Sequence, residues 1–308
     1  MKNMSIPLLS ALGVAIVALI FGSIFDYQLS SAIASSTNGF GLFISVIAPT
    51  IGFCGFAFIG GGFFALGLKQ QKLWVKIVFI ALAIVALGVT VNYAGKEYFG
   101  INGFVDKAPM FVGYLTAGIC GLAAEVGGYF TFKDCKNEKA WIPFLCVYIV
   151  LFLVLICGIT GLKSLMHRPR YRTVLDQSIV PFHNWWQRCA NYKDYIALGI
   201  SKEEFKSFPS GHTGEAAILI VVSMFAPLAD DRLKKAQLPM FIGSCCFVML
   251  VGFSRILAAA HYLSDVSMGA LITLVFACIA NEVLIKYVKP TKIEEKVEEG
   301  LKEVEEVK

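Results

Sequence analysis

The stretch Met240–Ala280, MFIGSCCFVMLVGFSRILAAAHYLSDVSMGALITLVFACIA, decides the fold. It holds one apolar run, 240–259, and most of a second, 265–287. Each suffices to cross a bilayer as a helix, because about 20 apolar residues span the hydrocarbon core. Arg255, His261 and Asp265 lie where the two runs meet. Six further runs of this kind precede them, at 6–25, 41–67, 73–94, 109–131, 141–162 and 211–229. No alternating strand pattern competes, and a spanning chain must satisfy its backbone within itself. The expected fold is all-α, a multi-pass transmembrane bundle of about eight helices. The run 41–67 is long and contains Gly60, Gly61 and Gly62, where a helix can tilt or break.

Composition agrees. Of 308 residues, 57% are hydrophobic and 16% charged, against roughly 45–50% and about 25% in soluble proteins. Mean hydropathy is +0.69. A disordered chain is excluded, and a soluble globular enzyme is disfavoured. The net charge of +5 combines −3 from Thr291 onward with +8 elsewhere. The basic residues mostly separate apolar runs and form no nucleic-acid patch. Most of the nine cysteines fall inside apolar runs, where they act as small hydrophobes. Without CxxC or Cys/His metal spacing, they suggest neither a disulfide framework nor a metal site. The first run reads as a retained helix rather than a cleaved signal.

Charge sets the expected orientation. The connections after the second, fourth and sixth runs carry Lys69 and Lys72, Lys133, Lys136 and Lys139, and Arg232, Lys234 and Lys235. The first connection, 26–40, has no Lys or Arg. The positive-inside rule then places both termini in the cytoplasm, in a plasma (inner) membrane. The fifth connection, 163–210, lies outside yet holds eight Lys and Arg residues. Such a basic concentration on that side points to a function. The tail places Ile293, Val297, Leu301 and Val304 at helical spacing among Glu and Lys, as an amphipathic helix or a frayed end would. Glu125 is the deepest isolated carboxylate, toward the cytoplasmic side. Phe182, Trp185 and Trp186 suit an interfacial anchor or a lid.

The chemistry gathers on the outer face. Lys163 and Arg170 follow the fifth run, Pro209-Ser210-Gly211-His212 opens the sixth, and Ser254-Arg255 is followed by His261 and Asp265. The chain thereby resembles the type-2 phosphatidic acid phosphatase superfamily of integral-membrane lipid phosphatases, whose helical core is shared with vanadium haloperoxidases. The family motifs are Lys-x6-Arg-Pro, Pro-Ser-Gly-His and Ser-Arg-x5-His-x3-Asp. The second and third are complete here, and the first has Tyr171 in place of Pro. Arg168-Pro169 supplies the dipeptide, but its lysine would fall on Gly161. The Lys163/Arg170 register is preferred, and which arginine faces phosphate stays open.

The resemblance implies His261 as nucleophile, through a phosphohistidine, and His212 as general acid. The residue chemistry is consistent with that. Lys163, Arg170 and Arg255 can neutralise phosphoryl oxygens. Ser210 can donate its hydroxyl, and Gly211 permits close approach of backbone N–H groups. Asp265 can hold the His261 ring N–H and favour the reactive tautomer. Arg168, Glu215 and His167 are possible supporting residues. No metal or other cofactor is expected, since cationic side chains take that place. The expected partners are a lipid phosphate and the bilayer, with no nucleic acid.

The organisation expected is 1–140 for helices 1–4, 141–288 for the catalytic core and 289–308 for a charged cytoplasmic tail. Substrates of the resembling family are phosphatidate, phosphatidylglycerophosphate and polyprenyl pyrophosphate, and the motifs choose none of them. Two alternatives share the site: a lipid-to-lipid phosphotransferase, and a non-catalytic headgroup binder or transporter. Eight spans disfavour a soluble vanadate-dependent oxidase.

Overall fold

A computed structural model describes residues 4–97, 110–135, 147, 150–151, 153–229 and 231–288. Every regular element among them is helical. The long helices are α1 (Ser5–Ile33), α2 (Gly39–Lys69), α3 (Leu73–Glu97) and α4 (Met110–Phe132). A π-turn (Val154–Ile159) leads into α5 (Thr160–Met166). The segment beyond it holds α6 (Tyr171–Asp176), α7 (Tyr192–Ala197) and a 3-10 turn (Lys202–Phe205). Then follow α8 (Gly211–Ala216), α9 (Ile218–Ala229), α10 (Asp231–Leu257) and α11 (Leu263–Val288).

Among the described residues, six helices are long and apolar enough to cross a membrane: α1 to α4, α10 and α11. They correspond to six of the eight expected runs. The run 211–229 departs from expectation, because it breaks at Ala217 into α8 and α9. There the ladder tightens, with Ile220 N–H donating to the Ala217 carbonyl three residues back. Most of the run 141–162 up to residue 152, and the tail from 289, lie outside the described residues.

The glycines of α2 do not break it. The helix runs unbroken over 31 residues, and even Pro49 lies inside it. Its small residues serve close packing, as is usual in membrane bundles. At Gly52 a Cβ would lie 2.7 Å from the Glu215 carbonyl oxygen of α8. Only the missing side chain lets α2 reach the short helix that carries His212. The most apolar part of α2 is 72% buried, against 17% for α1 and α3. This makes α2 the axis of the bundle, with α3, α4, α8 and α10 packed around it. The outer sides of α1 and α3 expose large apolar residues, among them Val17, Ile20, Trp74 and Ile84, as lipid-facing surfaces do.

One end of the bundle gathers the chemistry. Helix α1 packs along α11, and Ser35, just after α1, donates its N–H to the Leu257 carbonyl at the end of α10. The segment 167–210 folds over that end. It has its own small core of Val180, Cys189 and Phe205, with Tyr192 and Tyr195 against them.

Candidate active site

The turn between α10 and α11 carries His261. Helix α10 ends at Leu257, and Ala259 takes a left-handed backbone, φ 54°. The Arg255 carbonyl accepts the N–H groups of Ala260 and His261, closing the turn. Asp265 then caps α11, its Oδ2 accepting the Tyr262 N–H at 2.9 Å, as an acidic residue in a first helical turn can. These local bonds fix where the imidazole points.

His261 is 1% exposed. Its Nδ1 lies 2.7 Å from the Ser207 carbonyl oxygen. A carbonyl can only accept, so Nδ1 carries the proton and Nε2 bears the lone pair. Nε2 has no hydrogen-bond partner among the described residues. The sequence reading gave Asp265 the task of holding the ring N–H. The structure gives it to the Ser207 carbonyl, with the Asp265 carboxylate 3.7 Å from Nδ1. Asp265 instead accepts the Ser207 hydroxyl at 2.5 Å, so it positions the residue that positions the histidine. Burial holds the His261 ring below the ordinary histidine range; Asp265 opposes this, and Arg255 and Arg170 add to it. The ring is therefore neutral at neutral pH.

The two arginines of the first motif separate cleanly. Arg168 is fully buried. Its Nη1 donates to Asp265 Oδ1 at 2.6 Å and to Ser264 Oγ at 2.8 Å. Its Nη2 donates to Asp26 Oδ2 at 2.9 Å, and its Nε to the His183 carbonyl at 2.9 Å. The plane lies 4.1 Å from the Tyr262 ring centre, with Phe182 nearby. A guanidinium shared by two buried carboxylates is committed to holding elements together. Arg170 donates its Nε to the Glu203 carbonyl at 3.1 Å and acts electrostatically on both His212 and His261. Arg170, rather than Arg168, bears on the histidine pair.

Tyr171, where the family motif has proline, is the first residue of α6. The first helical N–H has no partner within the helix, so proline and tyrosine suit that backbone position equally. The Tyr171 ring packs edge-on against Tyr27 and Tyr262.

The remaining predicted residues converge here. His212, on α8, is buried and lies in the field of Arg255, His261, Lys163 and Arg170. Lys163 Nζ comes within 3.4 Å of where a side chain at Gly211 would begin, and Glu215 Oε1 is equally near. Glu215 therefore sits on the Gly211–Lys163 side of α8. Ser210 donates its N–H to the Asp265 carbonyl at 3.0 Å, and its hydroxyl accepts from Thr213. Gly269 makes this junction possible, since a Cβ there would lie 2.3 Å from the Ser210 carbonyl oxygen. His167 stacks on Tyr192 with 3.6 Å between ring centres. Trp185 donates to Ser23 of α1 and stacks on Phe208, so this tryptophan is pinned to the bundle. Glu125 lies elsewhere, on α4 against Gly60 of α2.

Sequence reasoning missed Asp26, Ser207 and Ser264. Asp26 Oδ1 accepts the Ser264 N–H at 2.9 Å, and its other oxygen accepts the Ser264 hydroxyl. An acidic residue beside an apolar run was the available signal. Ser207 contributes a backbone carbonyl, for which no residue pattern exists.

Exchanging each arginine for lysine separates the roles. Arg168→Lys loses the planar fork between Asp26 and Asp265, so a lowered Tm is expected. Arg170→Lys keeps the fold and lowers kcat/KM roughly 10- to 100-fold. Thermal unfolding and steady-state kinetics on both variants check this.

A helical membrane bundle with two buried imidazoles among three cations at one end defines a class: membrane-type helical bundles with a buried, cation-flanked histidine pair. Within that class, residues 141–288 match the PAP2 superfamily. Among curated proteins, the chain is similar to lipid phosphate phosphatase 2 of Arabidopsis thaliana, 34% identical over 140 residues, covering 42% of this chain and 47% of that protein. It is also similar to phosphatidylglycerophosphatase B of Haemophilus influenzae, 26% identical over 176 residues, 51% of this chain and 71% of that protein. The chain thus spans about half the length of the first relative and more of the second. No solved structure matches it.

Proposed function

We propose that the protein is a membrane lipid phosphatase that hydrolyses a phosphomonoester or pyrophosphate on a lipid, through a phosphohistidine, at the extracytoplasmic face. One observation carries the reading. The His261 ring has its proton fixed on Nδ1 by a backbone carbonyl at 2.7 Å, and its buried Nε2 lone pair has no hydrogen-bond partner among the described residues.

In the first half-reaction Nε2 bonds to phosphorus as the bond to the leaving oxygen breaks. Lys163, Arg170 and Arg255 neutralise the phosphoryl oxygens. His212, protonated once the anionic phosphate offsets the surrounding cations, gives the leaving oxygen its proton. The phosphorylated ring is cationic and still holds its Nδ1 proton. The Ser207 carbonyl and the Asp265 carboxylate, 3.7 Å from Nδ1, stabilise that charge. In the second half-reaction His212 takes a proton from water, whose oxygen bonds to phosphorus as the N–P bond breaks. Inorganic phosphate leaves and both imidazoles return to their starting forms.

The test uses full-length protein in detergent with EDTA and a panel of lipid phosphates and pyrophosphates. Phosphate release, with an acid-labile and base-stable phosphoenzyme on quenching, is the expected result. Turnover that disappears in EDTA and returns only with Mg²⁺ overturns the mechanism. Phosphate moved to a second lipid with none released to water replaces hydrolase by transferase.

The pH dependence follows from the lowered His261 value. The acid limb of kcat/KM lies below the range of about 6–7 expected for an unperturbed imidazole. Stability has the same sign. The unfolded chain protonates this ring near pH 6.5 and the folded chain only at lower pH, so stability present above about 6.5 falls as pH drops from there. A kcat/KM profile and Tm values at pH 7 and pH 5 check both statements.

A further inference from the structure

A cleft of about 480 Å³ opens beside Lys163 and Gly211, the chain neighbour of His212; neither His212 nor His261 lines it. Lys163 and Gly211 form the part nearest the chemistry, while Lys202 and Lys206 line it from the outer segment. Phe53 of α2 and Tyr93 of α3 line it too, stacked with 5.4 Å between ring centres. Its volume lies in the range of small-molecule sites and far exceeds that of one phosphate, a liquid water occupying about 30 Å³. A larger cavity, about 680 Å³ around Arg172 and Glu204, contains none of the catalytic residues.

The two outer lysines stand on a built platform. The turn Lys202–Phe205 begins at Ser201, whose hydroxyl accepts the Glu203 N–H. Phe205 anchors it, fully buried against Tyr192 and Tyr195. Tyr192 in turn stacks on His167, whose left-handed backbone ends α5 three residues after Ser164. The field at His167 is set by Arg188, Lys202 and Lys193. Glu203, bonded to Lys206 at 2.5 Å, and Glu215, beside Gly211 and Lys163, are the acidic side chains that line the cleft. Positive charge therefore continues past the cations that surround His212 and His261.

Resting on the phosphatase reading above, we infer that Lys202 and Lys206 form a second anion subsite. The substrate then carries a second anionic phosphorus group beside the scissile phosphate, and its first apolar segment lies against Phe53 and Tyr93. The helices that lie before the PAP2-matching residues would thereby supply one wall of the substrate cleft. The second group can be the inner phosphate of a lipid diphosphate or the phosphodiester of a headgroup that also bears a terminal phosphate.

The experiment compares three lipids with matched tails: a phosphomonoester, a diphosphate, and a phosphodiester headgroup with a terminal phosphate. Wild type and the Lys202→Ala/Lys206→Ala double variant are assayed as full chains. The expected result is a fall in kcat/KM at least about ten-fold larger for the doubly anionic lipids than for the monoester. Loss confined to one doubly anionic lipid identifies which second group is read. Equal effects on all three lipids, or none, overturn the subsite. Binding of inorganic pyrophosphate and of inorganic phosphate is measured calorimetrically in parallel. Weaker pyrophosphate binding in the double variant, with phosphate binding shifted much less, supports the subsite even where no lipid turns over. Equal binding in the two proteins overturns it. Failure of turnover in wild type overturns the phosphatase reading alone.

Discussion

His261→Asn removes turnover by roughly 10⁴-fold or more while leaving the protein folded. Asparagine is chosen over alanine on physical grounds. Its side-chain amide can place an N–H near the position of Nδ1 and keep the bond to the Ser207 carbonyl, 2.7 Å away in the native site. Alanine would leave that carbonyl buried without its donor, at a cost of about 1–3 kcal/mol. Asparagine has no atom at the position of Nε2, so nothing can bond to phosphorus. The measurements are phosphate release, capture of the phosphoenzyme and Tm. A variant that keeps wild-type turnover with an unchanged Tm would remove His261 from the chemistry. A variant with unchanged Tm and no phosphoenzyme isolates the loss to the nucleophile.

Asp26→Ala has the second largest expected effect, although Asp26 belongs to none of the three motifs. Its carboxylate faces Arg168 and receives both the N–H and the hydroxyl of Ser264. Breaking one side of a buried ion pair costs about 3–5 kcal/mol, because the remaining charge stays buried with less compensation. Arg168 would be left with Asp265, and the start of α11 would lose its tie to α1. Asp265 positions Ser207, so the loss reaches the His261 tautomer through the chain Arg168–Asp265–Ser207. Both a large fall in Tm and a fall in kcat of about 100-fold are expected. Asp26→Asn keeps an oxygen for Ser264 and should lose less of each. A purely structural role would lower Tm in both variants without moving the kcat of the folded fraction.

The sequence readings succeeded where the governing property is local. Helices α1 to α4, α10 and α11 follow the expected apolar runs within a few residues at most ends. The exceptions are instructive. The first run was bounded at 25, which put Asp26 in a connection, whereas α1 continues to Ile33. In the structure Arg168 pairs with the Asp26 carboxylate from 142 positions away, so the helix continues past it. The run 211–229 looks continuous in hydropathy, yet α8 ends at Ala216. Its short length fits the tight junction of Ser210 with Gly269, which no hydropathy window registers.

The sequence by itself determined an apolar helical bundle, a basic segment at 163–210 and the set of histidines, cations and aspartate to be gathered beside it. It could do so because the bilayer imposes one requirement on each segment in turn, namely a run of apolar residues long enough to cross. The tertiary structure alone decided that Arg168 is locked between Asp26 and Asp265, that Arg170 bears on the histidines, and that a Ser207 carbonyl sets the ring proton. Those outcomes depend on which charges meet across helices and on where a backbone oxygen points. Both are properties of packing, and neither is written in the spacing of residues along the chain.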